Sequence, residues 1–137
     1  MRQQTVKQIM RKQPITIQCK TPLTEIIHII VTSQQAQLPV VNNNKKLIGM
    51  VSLIDCQKAL LISAYHCDKP VTVDDVMTEK FMFLNEDEDL SEVAINTQQQ
   101  TENFFPVIKN DKLIAILRRT DLLVHLQKNL SLCSKNQ

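Results

Sequence analysis

The sequence predicts a mixed α/β (α+β) fold built from two copies of one strand–helix–strand–strand–helix (βαββα) unit. Three observations predict it. An internal repeat spans almost all of the 137 residues; short β-rich runs alternate with helically spaced apolar residues; and 43% of the chain is apolar, enough to bury a core.

The repeat is legible residue by residue. Val6-Lys7-Gln8-Ile9-Met10 matches Val73-Asp74-Asp75-Val76-Met77 at an offset of 67. Leu23 pairs with Leu90, Glu25 with Glu92, and Pro39-Val40-Val41 with Pro106-Val107-Ile108 at that same offset. One residue is then lost in a turn, and Leu47-Ile48-Gly49-Met50-Val51 pairs with Leu113-Ile114-Ala115-Ile116-Leu117, and Asp55 with Asp121, at offset 66. The slip falls where a hairpin tolerates it. The expected division is residues 1–67 and 68–137, together one compact module.

Each element has a local cause. Ile15-Thr16-Ile17 alternates like a short strand. Thr21 is suited to cap a helix with Pro22 at its first position, where a missing N–H costs nothing. Leu23, Ile26, Ile27, Ile30 and Val31 then recur at helical spacing. Leu38–Val41 and Leu47–Val51 are buried strands, joined by an Asn42-Asn43-Asn44 turn whose residues tolerate left-handed geometry. Asp55 is expected to cap a helix running to about Ala64. In the second copy, Asp89-x-x-Glu92 has capping-box spacing. The acidic run Glu86-Asp87-Glu88-Asp89 reads as a solvated loop favoured by the helix dipole in preference to a metal site.

Composition excludes several functions. With the single glycine Gly49, neither a Walker loop nor a dinucleotide-binding loop can be built, because both need several glycines for backbone amides to approach phosphate. Cys19, Cys56, Cys67 and Cys133 form no CxxC pair and read as reduced thiols. His28, His66 and His125 lack metal-ligand spacing, and His66 and Cys67, in the linker, carry no assigned chemistry. No apolar run is long enough to span a bilayer and no signal-peptide core follows the polar start, so a soluble cytoplasmic protein without membrane attachment is expected. Lys and Arg are not clustered with aromatics, which argues against a nucleic-acid partner. Net charge is +2, but residues 1–67 hold eight basic and two acidic residues (+6), and residues 68–137 eight and twelve (−4). The halves therefore attract each other, or the opposite halves of a second copy.

The ordered pair of V-x-x-I-M and V-x-x-V-M, the pair Leu38-Pro39-Val40-Val41 and Phe105-Pro106-Val107-Ile108, and above all Gly49-Met50-Val51-Ser52-Leu53-Ile54-Asp55 resemble a tandem pair of cystathionine β-synthase (CBS) domains, a Bateman module, over about residues 5–126. The resemblance implies two βαββα units about a pseudo-two-fold axis, with adenosine-containing ligands in clefts between them. It implies one cleft of Met50, Ser52, Asp55, Phe81, Met82, Phe83, Glu102 and Asn103, and a second of Ile15, Gln35, Ala36, Ile116, Arg118 and Asp121.

The chemistry suits such a ligand. A carboxylate accepts both hydrogen bonds of a ribose diol, and a hydroxyl beside helix N-terminal amides suits a phosphate. The second cleft departs from the pattern, with Ala115 for glycine and Arg118 for Ser/Thr; that guanidinium either clamps a phosphate or fills the cleft. Asp55 and Asp121 also read as plain helix caps; Met50, Phe81 and Met82 are more often core than adenine wall; and Arg118-Arg119 is usually a solvated pair. The expected function is a regulatory sensor of AMP, ADP, ATP or S-adenosylmethionine, requiring no cofactor and acting on an unidentified partner protein. The alternative is a ligand-free dimerisation scaffold. No nucleophile–base pair or catalytic domain is legible, so no enzyme is expected. Leu60-Leu61-Ile62 and Leu122-Leu123 are the expected homodimer surfaces.

Overall fold

The structure, a computed structural model, describes residues 4–65 and 69–135, with side chains described as far as residue 130. His66, Cys67 and the side chain of Cys133 lie outside the described residues. In chain order the elements are α1 (Val6–Ile9), β1 (Arg11–Lys12), β2 (Ile17–Gln18), α2 (Leu23–Ser33), β3 (Gln37–Val41), β4 (Leu47–Ser52), α3 (Leu53–Tyr65), α4 (Val73–Val76), α5 (Leu90–Thr97), β5 (Phe104–Lys109), β6 (Lys112–Arg118) and α6 (Arg119–Lys135). The mixed α/β class and the repeated order are as the sequence predicts, except that the first strand of the second copy shrinks to a single parallel bridge between Leu84 and Val107.

The chain forms two compact units. Unit one holds the residues up to Pro14, Met82–Asn110, and those from Ile114 onward; unit two holds Ile15–Phe81 with Asp111–Leu113. Each unit thus takes an edge from the other sequence copy. In unit one, β1 pairs antiparallel with β6, Arg11 opposite Ile116, giving the order β1-β6-β5. In unit two, β2 runs parallel to β3 and β3 antiparallel to β4. The position equivalent to Arg11 is Thr78, which makes an antiparallel bridge to Met50.

The short helices follow the same exchange. Thr5 and Gln8 form a capping box on α1, and Val6 N–H donates to the Glu88 carbonyl. Thr72 and Asp75 do the same on α4, where Val73 N–H donates to the Thr21 carbonyl. Each turn is thereby laid across the start of a longer helix, with Val6 and Val73 both fully buried in their own cores. The core of unit one gathers Val6, Leu84, Leu90, Phe105, Val107 and Leu117. That of unit two gathers Ile17, Ile26, Ile30, Leu38, Val40 and Val51.

Several local expectations are corrected. Helix α2 starts after Pro22, which is itself the N-cap; Thr21 instead donates its hydroxyl to the Gln18 carbonyl at 2.6 Å. The left-handed residue of the first hairpin is Lys45, while the Asn42 carboxamide accepts from the Asn44 and Lys46 amides. The second hairpin turns through Asn110 and Asp111, both at positive φ, a shorter solution that accounts for the one-residue slip. The Asp89–Glu92 box does not form, and Asp89 caps α5 without a side-chain bond. The acidic run is not wholly solvated either. Glu86 is buried and pairs with Lys109 at 2.8 Å, a bond that holds its carboxyl below the ordinary value.

Candidate functional site

At the junction of β4 and α3, Ser52 is the N-cap and Asp55 the third helical residue, correcting the expectation that Asp55 is the cap. The two bond reciprocally: Ser52 N–H donates to Asp55 Oδ2, and Asp55 N–H donates to Ser52 Oγ, each at 3.0 Å. This is a capping box with Asp in place of the usual Glu or Gln. It leaves Asp55 Oδ1 without a partner among the described residues and leaves the Ser52 hydroxyl hydrogen available. Both side chains are half-buried.

The strand that delivers them is fixed by its neighbour. Met50 exchanges two backbone bonds with Thr78, at 2.9 and 2.8 Å, and is itself buried. Gly49 permits that approach. A Cβ there would lie 2.6 Å from Met77 Sδ and 3.1 Å from the Thr78 carbonyl oxygen.

The corresponding junction of β6 and α6 has different chemistry. Arg118 Nε and Nη2 donate to the two carboxylate oxygens of Asp121 at 2.9 and 3.0 Å. Arg11 adds a second such pair at 3.1 and 3.3 Å. First Arg118 and then Arg11 hold the Asp121 carboxyl down to about 2. Both oxygens that would meet a ribose diol are therefore engaged by guanidinium. Arg119, expected in a solvated pair, is a staple. It donates to the carbonyls of Thr97, Gln100 and Glu102 and lies 5.2 Å from the centre of the Phe105 ring.

The other candidates divide between the units. Phe81, half-buried, belongs to unit two with Met50, Ser52 and Asp55; Met82, Phe83, Glu102 and Asn103 belong to unit one. Glu102 and Asn103 have exposed side chains, and the Asn103 carbonyl accepts from Arg119 N–H. Of the second set, Ile15, Gln35 and Ala36 belong to unit two, where the Ala36 carbonyl accepts from Leu53 N–H, the counterpart of the Asn103 bond. Ile116 is buried in unit one. The residue that sequence reasoning missed is Arg11. Its available signal is its offset of 67 from Thr78, immediately after the repeated methionines.

Among the described residues there is no cluster of three or more metal-capable side chains. Cys56 is buried, and burial followed by the Asp55 charge pushes its thiol up, so it is packing, not a nucleophile. No helix of the described residues is long and apolar enough to cross a membrane.

A family model described as "CBS domain" matches residues 6–62 and 73–128. The AcuB protein of Vibrio cholerae superposes with a TM-score of 0.81 at 25% identity, covering 99% of each chain. The CBS domain pair of protein MJ0100, solved with 5′-methylthioadenosine and S-adenosyl-L-methionine, superposes with a TM-score of 0.75 at 26% identity, covering 93% of this chain and 99% of that one. Among curated proteins, L-aspartate semialdehyde sulfurtransferase of Methanocaldococcus jannaschii is 27% identical over 118 residues, which is 85% of this chain and 22% of that protein. The chain spans no more than 41% of the length of any of the first three curated relatives it matches.

Proposed function

The chain belongs to the CBS-domain family, and from that premise we propose that it is a cytoplasmic regulatory module that senses an adenosine-containing ligand through the Ser52–Asp55 junction. The observation that carries the proposal is the unspent Asp55 Oδ1 beside an available Ser52 hydroxyl, at a helix start whose cap is already made. The carboxylate accepts from a ribose diol and the hydroxyl donates to a phosphate oxygen. The MJ0100 pair, with its two adenosine ligands, supports that ligand class. AMP, ADP, ATP and S-adenosylmethionine are the candidates. Asp121, with both oxygens on arginines, is the weaker ribose acceptor of the two carboxylates.

The role is regulatory, not catalytic, and the relatives' enzymatic activities belong to those longer proteins. A thermal-shift panel of AMP, ADP, ATP, S-adenosylmethionine and GMP tests the proposal. An adenosine ligand should raise Tm and GMP should not. No shift with any of them at millimolar concentration leaves the scaffold reading.

That second reading has its own support. Helix α3 buries only Cys56, while Leu53, Ile54, Leu60, Leu61 and Ile62 are each at least 46% exposed. An apolar groove lies beside them, bounded by Ile27, Ile30 and Val31 of α2. We propose this face as a homodimer surface. Leu123 remains a candidate at 57% exposure, but Leu122 is buried in the core of unit one and drops out.

A further inference from the structure

Unit one holds a second concavity that uses neither Ser52 nor Asp55. A cavity of about 500 Å³ opens between the α1 turn and one face of α6. That size suits a small organic molecule and exceeds the need of a lone inorganic ion. Arg11 and Lys128 bring positive charge to its walls. Asp121 is the one carboxylate among them, and its two oxygens are already shared between Arg11 and Arg118. Lys128 has no ion pair among the described residues.

Hydrogen-bond donors also outnumber acceptors there. Gln8 has its carbonyl oxygen tied to Thr5 N–H, so its free end is the amide NH2. Gln4 adds another carboxamide at the rim. His125 lines the cavity while only 7% exposed, with the Asn129 amide nitrogen 3.4 Å from its Nε2. Ile9, Met10 and Val124 form an apolar wall, Val124 remaining 49% exposed.

The geometry points to a binding site for a phosphate monoester carried on a small apolar body, with the phosphate toward Arg11 and Lys128 and the body against Ile9, Met10 and Val124. A phosphate monoester near neutral pH carries close to two negative charges and accepts several hydrogen bonds, which matches two cations and free carboxamide donors. The site shares only Asp121 with the residues assigned to the adenosine clefts and goes beyond the sensor reading.

Phenyl phosphate is the probe, because it has no ribose or adenine. Titrated into the full chain, it should give saturable shifts of the Arg11, Val124 and Lys128 backbone amides in a ¹H–¹⁵N NMR spectrum. Lys128→Gln, a surface helix substitution, should weaken binding about fivefold, roughly the worth of one exposed charge pair. Inorganic phosphate should bind more weakly than phenyl phosphate. The proposal is overturned by an absence of saturable shifts at these amides up to about 10 mM probe, by unchanged affinity in Lys128→Gln, or by equal affinity for inorganic phosphate. Adenosine, uncharged, titrates the Ser52–Asp55 junction separately, so the two readings fail independently.

Discussion

Replacing Asp55 by Ala separates capping from recognition. In the folded chain Asp55 Oδ2 satisfies the Ser52 amide at 3.0 Å while Oδ1 has no described partner. Removing the carboxylate leaves a half-buried N–H unpaired and should cost about 1 kcal/mol of stability. For a domain of this length, at about 2.1 cal/mol/K per residue, that lowers Tm by about 3–4 °C. The ligand loses at least one charge-assisted bond, worth about 1.5–3 kcal/mol, so affinity should fall at least about tenfold. Asp55→Asn sharpens the comparison. Its carboxamide oxygen can still accept from Ser52 N–H, so most of the Tm should return, whereas the uncharged group is a poor acceptor for two hydroxyls. Calorimetric titration with AMP or S-adenosylmethionine, whichever shifts the wild type, reads the affinity, and scanning calorimetry reads the fold. If Asp55→Ala lowers Tm as expected but leaves the ligand dissociation constant within twofold, Asp55 is a cap and nothing more.

Three further outcomes are expected. Gly49→Ala should destabilise by about 1–3 kcal/mol, because the new Cβ meets Met77 and a Thr78 carbonyl that is already bonded to Met50; an unchanged urea midpoint would show that the Met77–Thr78 segment yields freely. Asp121 has its carboxyl lowered from 3.8 to about 2, so its contribution is complete above about pH 4 and is lost as pH falls toward 2. The full depression would be worth about 2.5 kcal/mol, and solvent screening reduces it to about 1 kcal/mol. The stability gap between wild type and Asp121→Asn in urea melts should therefore narrow from pH 5 to pH 2.5, and a constant gap would refute the ion-pair account. Leu61→Glu, on the 59% exposed face of α3, should convert a sedimenting dimer to a 15.7 kDa monomer with little change in Tm; a wild type that is already monomeric at micromolar concentration would remove the dimer proposal.

The repeat and its hydrophobic periodicity made the two α/β copies and most helix and strand positions legible before any coordinates. What escaped is non-local. Arg11 reaches Asp121 across 110 residues, and no periodicity within a short window reports a two-residue edge strand. The same limit hid Thr78 opposite Met50. Ser52 and Asp55 were legible as a pair, because three-residue spacing at a strand end is itself a capping signal. Which of the two is the cap depends on where the first helical turn begins, and Leu53 N–H bonding to the Ala36 carbonyl sets that. The Asp89–Glu92 spacing was as good on paper, yet the nearby Glu88 carboxylate turns back to the Asn85 amide at 2.8 Å while Asp89 makes no side-chain cap. Arg118 was open between two fates, and the determining partner, Asp121, was in view; the second arginine on it was not.

The exchanged edges bear on how the chain is made. Unit two lacks its Met50–Thr78 closure until translation has passed Thr78, although β3 and β4 are complete by Ser52. The segment before Pro14 waits longer still. Its partner strand β6 ends at Arg118, so Arg11 and Lys12 leave the ribosome more than a hundred residues ahead of the backbone they pair with. Until β6 emerges that segment is a loose tether, seated only after the strand it borders has been made.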